Sequence, residues 1–589
     1  MDEAPPEAIG STDPPLEGGR SDVGRLDDLL WWIYGDHPPG MAAALLSHRL
    51  QRTPAPATAG WDQRTAVLIG YADAVQAPGE PGLRTLRRFL DQHCPGLFPV
   101  LHVLPFLEST SDGGFAISNH TRIDPAYGDW VDLAALAEGR TLMADLVLNH
   151  VSSSHRWVQD FRRGAVPGGQ MVLARPSEEG WDQVVRPRSS ALFTRVETAQ
   201  GPRELWTTFG PDQVDLDWRN PAVLVEFVAQ IDRLLSHGAH WIRLDAVGFL
   251  WKEAGSSCIH LPRTHALVKV LRMVLQAREF AAVMVSETNV PEEENLSYLR
   301  PGDEAQLAYN FPLPPLLLEC LTSGRADLLN SWLCRWPVLP AGTALLNFSA
   351  SHDGIGLRPV EGLMPEERLQ RLLRHCEIQG GLISHRRRAD GSDSPYEINI
   401  TWWSAMADSG GGDTLQWERY LCSQLLVAAL AGVPAFYLPT LLTSRNDRGR
   451  FARTGLRRDL NRERFLEEAV NRRLRDPDAP AARALAAIGH ALRVRHQLRA
   501  FHPEAPMRCL SGSRSDLVLL RRGEDGHHVW AVHNMTAERL NLPLARLLQA
   551  ADGQPLAPQP LVDRLSGSLL EAATPTIPPY GVLWLQGLG

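Results

Sequence analysis

Only seven cysteines occur in 589 residues, at 94, 258, 320, 334, 376, 422 and 509. They are odd in number, widely scattered and form no CxxC pair, which argues against a disulfide framework or a zinc site. They read instead as small buried hydrophobes in a reducing compartment. No run approaches the ~18 apolar residues that a membrane-crossing helix needs. The N-terminal stretch MDEAPPEAIGSTDPPLEGG is acidic and proline-rich and has no apolar centre, unlike a signal peptide, so a cytoplasmic location is expected. Basic charge is not in excess either: Lys and Arg total 59 against 68 Asp and Glu, a formal charge of −9. That balance argues against a nucleic-acid partner, and any anionic ligand must meet a local arginine cluster.

What the chain does have is length and an ordinary apolar content of 44%, ample for a large core. Four segments stand out in order: LMADLVLNH (142–150), HWIRLDAVGF (240–249), AVMVSETNV (282–290) and LLNFSASHDG (345–354). Each begins as a continuous apolar run, as a fully buried strand does, and each ends in Asp, Glu, His or Arg. Buried strands alternating with helical stretches predict a parallel sheet, and in a (β/α)₈ barrel the chemistry sits at the C-terminal strand ends.

The rest of the chain can be apportioned around that barrel. Residues 1–20 are expected to be disordered. An N-terminal helical extension follows (21–60), with helical patterns at 25–35 and 41–52 and a linker, TPAPATAG, at 53–60. The barrel then runs over 61–150, 216–354 and 411–503, with its first two strands in AVLIGYADAV (66–75) and FPVLHVLPF (98–106) and its last in VPAFYLP (433–439). The polar stretch between the third and fourth strands is longer than one helix requires and reads as an inserted subdomain at 151–215. A second insertion is expected at 355–410. From 504 to 589, short apolar runs (DLVLLRR, HHVWAVHN, GVLWLQG) separated by turn residues predict an antiparallel β domain.

Two strand ends offer the carboxylate pair that glycoside chemistry needs. Arg243 and Asp245 lie two residues apart on a strand and share a face, so the guanidinium can keep the carboxylate ionised and ready to act as a nucleophile. A structural Arg–Asp pair at a strand end is the plain alternative. Glu287 ends VMVSE, where desolvation would raise its pKa and suit it to general acid work; a helix-capping Glu is the alternative there. Asp353 in SHDG is a third carboxylate, and by itself an Asp-Gly turn explains it equally well. Asn149 and His150 close the third strand. Their joint occurrence, in order, on four apolar strands is what favours a sugar-processing site.

These segments match the signature regions of the α-amylase superfamily, and from about residue 64 the chain resembles the sucrose phosphorylase family. The markers are HVLPF (102–106), DGGF (112–115), VDLDW (214–218), RLDAVGFLWKEAGSSC (243–258), FPLPPLLLECL (311–321), HDGIG (352–356) and SRNDRGRFARTGLRRDLNR (444–462). The resemblance implies a (β/α)₈ TIM barrel with an inserted B domain, a second insertion after the seventh strand and a C-terminal antiparallel β domain. It implies phosphorolysis of an α-glucoside with retention, giving α-glucose 1-phosphate, without metal or cofactor. By the same resemblance Asp245 is the nucleophile, Glu287 the acid/base and Asp353 the transition-state stabiliser. Asp112, His150, Arg243, His352 and Arg458 hold the glucosyl unit, His120 is a further substrate-binding candidate, Phe115 and Phe209 flank the sugar, and Arg188, in the loop VVRPRSSALF (184–193), approaches phosphate. A solvated loop arginine is the plain reading of Arg188.

Two departures from the enzymes acting on sucrose concern the acceptor side. Asn289 stands where they carry histidine, and Tyr396-Glu397 where they carry tyrosine-glutamine. Both argue against fructose as the preferred leaving group and resemble the branch containing glucosylglycerate phosphorylase. A glycerate carboxylate would need a cation, and HRRRADGS (385–392) offers Arg386, Arg387 or Arg388. Phosphorolysis of sucrose, sucrose 6-phosphate or glucosylglycerol, and an α-glucosidase or transglucosidase, remain alternatives. The expected partners are small molecules: an α-glucoside, inorganic phosphate and glucose 1-phosphate. Assembly as a homodimer is left open.

Overall fold

Eight short apolar segments pair side by side, all parallel, and close on themselves: β1 (Val67–Gly70), β2 (Val100–Val103), β3 (Thr141–Val147), β4 (Ala239–Asp245), β5 (Val283–Ser286), β6 (Leu307–Tyr309), β7 (Ala344–Asn347) and β8 (Val433–Tyr437). The order round the barrel is the order along the chain. Val67 of β1 sits beside Val100 of β2 on one side and Ala435 of β8 on the other, which closes the ring. The computed structural model describes residues 21–47, 60–177, 179–278, 281–387, 392–408, 414–510, 514–548, 560–570 and 573–587.

The strands are buried on both faces because helices pack outside and side chains fill the inside, which is why their sequences read as unbroken apolar runs. The helix Pro221–Ser236 that delivers the chain to β4 illustrates the local logic. Asn220 caps it by accepting from the Ala222 N–H, and Pro221 occupies the first turn, where its missing N–H costs nothing. Val223, Leu224, Phe227, Ile231 and Leu235 form its buried stripe against the barrel. Replacing Asn220 by Ala would remove the cap, a loss of ~1 kcal/mol.

The additions anticipated from sequence take definite form. Between β3 and β4, a hairpin (Phe193–Thr198 with Gly201–Trp206) stands over a small apolar cluster of Leu173, Val184, Leu192, Trp206 and Cys258. Gln213–Asp215 pairs antiparallel with His150–Ser152 and ties this insertion to the top of β3. After β7, Ile355–Gly356, Asp393–Asn399 and Leu382–Arg387 form a three-stranded antiparallel sheet beside the helix Glu366–Ile378. The C-terminal region is a six-stranded antiparallel sheet with its own apolar cluster, including Val518, Trp530 and Leu585.

At the N-terminal end, helix Asp22–Tyr34 buries Leu26, Leu29, Leu30 and Ile33 and packs against Pro262–Ala277. A second helix, Met41–Ser47, is held by Arg278, whose Nη1 donates to the Leu45 carbonyl at 2.8 Å. The tail expected over 1–20, the end of the second helical pattern and nearly all of the linker lie outside the described residues. Among the described residues no helix is long and apolar enough to cross a membrane.

Candidate active site

Strand period two places Arg243 and Asp245 on the same inward face of β4, and the register sets Arg243 beside Asp145 of β3. The Arg243 guanidinium is 1% exposed, and its Nη1 donates to Asp245 Oδ1 at 2.7 Å and also to Asp145. Asp145 in turn meets His102 Nε2, from β2, at 2.8 Å. Burial alone would raise the Asp145 carboxyl, but Arg243 and His102 bring it down to about 2. The floor of the barrel mouth is thus one buried cation shared between two carboxylates.

Asp245 is followed by Ala246 in the left-handed region (φ 50°), an uncommon conformation for a residue with a Cβ. That turn aims the Ala246 N–H at Glu287, which begins where β5 ends and accepts through Oε2 at 3.0 Å. The same oxygen lies 3.7 Å from Arg243 Nη2. Burial pushes the Asp245 carboxyl well above its ordinary range, with Arg243 opposing the shift and neighbouring Glu287 adding to it. Glu287 is raised too, chiefly by burial. The expectation that Arg243 simply keeps Asp245 ionised is therefore incomplete: the guanidinium also serves Asp145, and burial raises Asp245 and Glu287 together, so the two neighbouring carboxyls titrate as a pair.

Asp353 lies six residues beyond β7. Burial would raise its carboxyl as well, but Arg458, Arg243, Arg462 and Arg188 surround it and hold it below its ordinary value. Arg458 Nη1 pairs directly with Asp353, while its Nε and Nη2 reach both Glu397 oxygens at 3.1 and 2.7 Å. Arg462 Nε donates to the His352 carbonyl at 2.9 Å. His352 stacks on Phe115, with rings 5.0 Å apart and 9° from parallel; neither ring nitrogen has a hydrogen-bond partner, and Nε2 lies 3.5 Å from Asp353 Oδ2. Burial keeps this imidazole neutral by driving its pKa well below the ordinary value.

These groups line a single cleft at the C-terminal ends of the strands: Asp112, Phe115, His150, Arg188, Phe209, Gln213, Asp245, Ala246, Glu287, Asn289, His352, Asp353, Tyr396 and Arg458. Its cavity volume is ≈ 60 Å³, narrower than the ~300–1,000 Å³ typical of small-ligand sites. Asp112, also at positive φ (51°), sits where Gly113 must be glycine, since a Cβ there would lie 2.4 Å from Arg462 Nη1. Phe209 packs against His150 at 5.2 Å. Arg188 lies over the Tyr396 ring at 5.6 Å. Among the described residues no group of three or more His, Cys, Asp or Glu side chains is arranged to hold a metal ion.

Four expectations need correction. His120 does not reach the cleft: it is buried elsewhere, with Nδ1 3.2 Å from His155 Nε2 and its ring against Trp157 and Phe227. Packing among the rings of His155, Trp157 and Phe227 holds it apart from the residues that line the cleft. Glu397 is 1% exposed and does not line the cleft, because both of its oxygens are taken by Arg458. The arginines of 385–392 do not gather at the acceptor side. Arg386 pairs with Glu361 at 2.7 Å and Arg387 with Asp393 at 3.1 Å, while Arg388 lies outside the described residues. Arg243 acts from beneath the cleft and does not line it.

Four contributors were missed by sequence reasoning. Asp145 had a readable signal, a lone acid inside an apolar strand, which demands a buried partner. Gln213 bonds His150 Nε2 at 3.1 Å and Asp112 Oδ2 at 3.3 Å, yet nothing marks it in sequence. Arg462 sits in an arginine-rich run whose members cannot be ranked by pattern, and Ala246 contributes only its backbone.

Residues 98–331 match the α-amylase catalytic domain family. The chain is 39% identical over 511 residues to the glucosylglycerate phosphorylase of Allomeiothermus silvanus, covering 86% of this chain and 91% of that one. It is 36% identical over 513 residues to the glucosylglycerate phosphorylase of Spirochaeta thermophila, covering 85% and 87%. Among solved structures, sucrose 6F-phosphate phosphorylase from Thermoanaerobacter thermosaccharolyticum superposes with a TM-score of 0.70 at 22% identity, over 82% of this chain and 96% of that one.

Proposed function

We propose, for a chain that belongs to the glucosylglycerate phosphorylase family of the α-amylase superfamily, that it transfers glucosyl from 2-O-α-glucosyl-glycerate to inorganic phosphate. The products are α-glucose 1-phosphate and glycerate. One observation carries the chemical part of this reading: Arg243 binds Asp245 directly while Glu287 lies just beyond hydrogen-bond range of the same guanidinium. Burial raises both carboxyls, Asp245 the more, but only Asp245 receives a hydrogen bond from the buried Arg243 cation, and on that geometry we read Asp245 as the anion and Glu287 as the acid.

The reaction is a double displacement. The Asp245 carboxylate attacks the anomeric carbon as Glu287 gives its proton to the departing glycerate oxygen, leaving a β-glucosyl ester and an ionised Glu287. A phosphate oxygen then attacks the same carbon from the face that glycerate left. Asp245 departs as carboxylate, Glu287 recovers a proton from the phosphate, and two inversions give net retention. Asp353, held ionised by its arginines, offsets the positive charge that develops on the sugar ring in each transition state. His150, His352, Asp112 and Arg458 line the cleft with Asp245 and suit the sugar hydroxyls, and Phe115 and Phe209 offer apolar faces to the ring. The reading includes a cytoplasmic location, in keeping with seven unpaired thiols.

The test is glucose 1-phosphate release in phosphate buffer with glucosylglycerate, glucosylglycerol and sucrose supplied separately. Phosphate-dependent release from glucosylglycerate is expected, falling by on the order of 10⁴-fold in Asp245→Ala. Release mainly from sucrose would overturn the assigned leaving group. Free glucose formed without phosphate would make the protein a hydrolase.

A further inference from the structure

The helix Asp22–Tyr34 packs outside the barrel and supplies no residue to the cleft. Its C-terminal end is nevertheless fastened to the chain that leaves β4. Arg263 Nε donates to the Ile33 carbonyl at 3.2 Å, and the same guanidinium lies over the rings of Trp32 and Trp251, at 5.5 and 5.3 Å. The Tyr34 ring meets Trp251 at 6.5 Å between centroids. Arg263 Nη1 also donates to Glu253 at 3.4 Å.

The segment 251–258 held in this way has a second neighbour. Its Gly255 N–H donates to the Gly180 carbonyl at 2.9 Å, and its Ser257 carbonyl accepts from the Val185 N–H at 3.0 Å. The two backbones run close: Gly180 takes φ +102°, and a Cβ there would lie 3.0 Å from the Gly255 nitrogen. Three residues beyond Val185, Arg188 lines the cleft. Residues 253–255 are exposed, so burial does not fix the middle of the segment. Its position comes from its ends, where Lys252 Nζ is 2.9 Å from both Asn149 and Asp215, Cys258 joins the apolar cluster of the first insertion, and Trp251 is covered by Tyr34 and Arg263.

We propose that the helix Asp22–Tyr34 is a positioning element for the reaction. By holding Trp251 and Arg263 it sets segment 251–258 and, through it, the insertion loop at 180–188, and so governs how the glucosyl-enzyme divides between phosphate and water. This rests on the function proposed above. Tyr34, Trp251 and Arg263 act through that loop, and none of them lines the cleft. A cleft wall held in one place keeps water from the ester until phosphate arrives, whereas a loosely held wall admits it.

The test loosens the junction in the whole protein without touching the cleft. Arg263→Gln removes the charge over both rings, and Tyr34→Ala removes the ring against Trp251. Amide hydrogen exchange over 180–188 and 251–258, read by mass spectrometry, should quicken about tenfold or more in both variants. With 4-nitrophenyl α-glucoside as donor, the rate of ester formation should stay within about twofold of native, while the ratio of glucose 1-phosphate to free glucose falls about tenfold. Tyr34→Phe should behave as native, because the Tyr34 hydroxyl has no hydrogen-bond partner and the ring is kept. Asn220→Ala, which weakens the helix before β4 and leaves the junction intact, is the control for a general loss of stability. Unchanged exchange and ratio in the junction variants would overturn the proposal, and so would an equal shift in Asn220→Ala. If Tyr34→Ala does not fold, Arg263→Gln decides the question. A native enzyme that makes no glucose 1-phosphate would refute the proposed function instead, and the exchange comparison would still decide whether the helix holds the loop.

Discussion

At the scale of single residues, the candidate site is a set of charges that fix one another. Glu397 is the clearest case. Sequence resemblance placed it on the acceptor side, yet in the structure it grips Arg458 through both oxygens, and Arg458 in turn pairs with Asp353. Its role is to position a residue of the donor side. Glu397→Gln keeps the shape but removes the charge and one of the two acceptors, a loss of ~1.5–3 kcal/mol for a charged hydrogen bond. The expected result is a KM for the glucosyl donor raised about tenfold or more, with the KM for phosphate and glycerate little changed. The reverse pattern would return Glu397 to the acceptor subsite. Much of the site was legible in sequence at this scale, because Asp245 ends an apolar strand and Glu287 and Asp353 each follow one. What could not be read is which arginine pairs with which acid: Arg386, Arg458 and Arg188 look alike in a string, and only folding decides which keeps a free edge.

At the scale of elements, legibility followed strand length and burial. β3, β4, β5 and β7 announce themselves because a strand covered on both faces must be apolar throughout, and the first polar residue after such a run marks the barrel mouth. β6 was not picked out, since Leu307–Tyr309 is too short to show any period. The insertion after β3 was readable as surplus length, but its attachment was not. Gln213–Asp215 is three residues long, and its pairing with His150–Ser152 is a contact between distant parts of the chain. That small ladder matters to function because it carries Gln213 to His150 and Asp112. Placement of Asp112 depends on a neighbouring turn as well: Gly114 takes φ +105°, and a Cβ there would lie 2.7 Å from the Pro105 carbonyl oxygen. The residues that touch sugar chemistry are thus held by backbone features that pattern reading sees only as a Gly-Gly pair.

At the scale of the whole molecule, burial of histidine sets the response to pH. His120 and His155, packed together beside the barrel, are pushed down to about 4 and about 3 by burial, and His533 in the C-terminal sheet to about 3. In the unfolded chain each titrates near its ordinary ~6.5. The unfolded state therefore takes up protons first as pH falls. The stabilisation is complete above pH ~6.5 and is lost progressively below it, at up to ~1.4 kcal/mol per pH unit per histidine until the folded values are reached. Urea unfolding should show stability dropping between pH 6.5 and 5, a window above that of Asp145, whose folded value is about 2. A midpoint constant across that interval would contradict neutral burial of these rings. The barrel and its two insertions meet at one cleft, where, on the function proposed above, Asp245 attacks the sugar. The most direct measurement is peptide mapping by mass spectrometry after reaction with a slow, fluorinated α-glucosyl donor. A glucosyl ester on Asp245, discharged by added phosphate, is the predicted result. An adduct on Asp353, or turnover of the donor with no ester at Asp245, would contradict the double displacement.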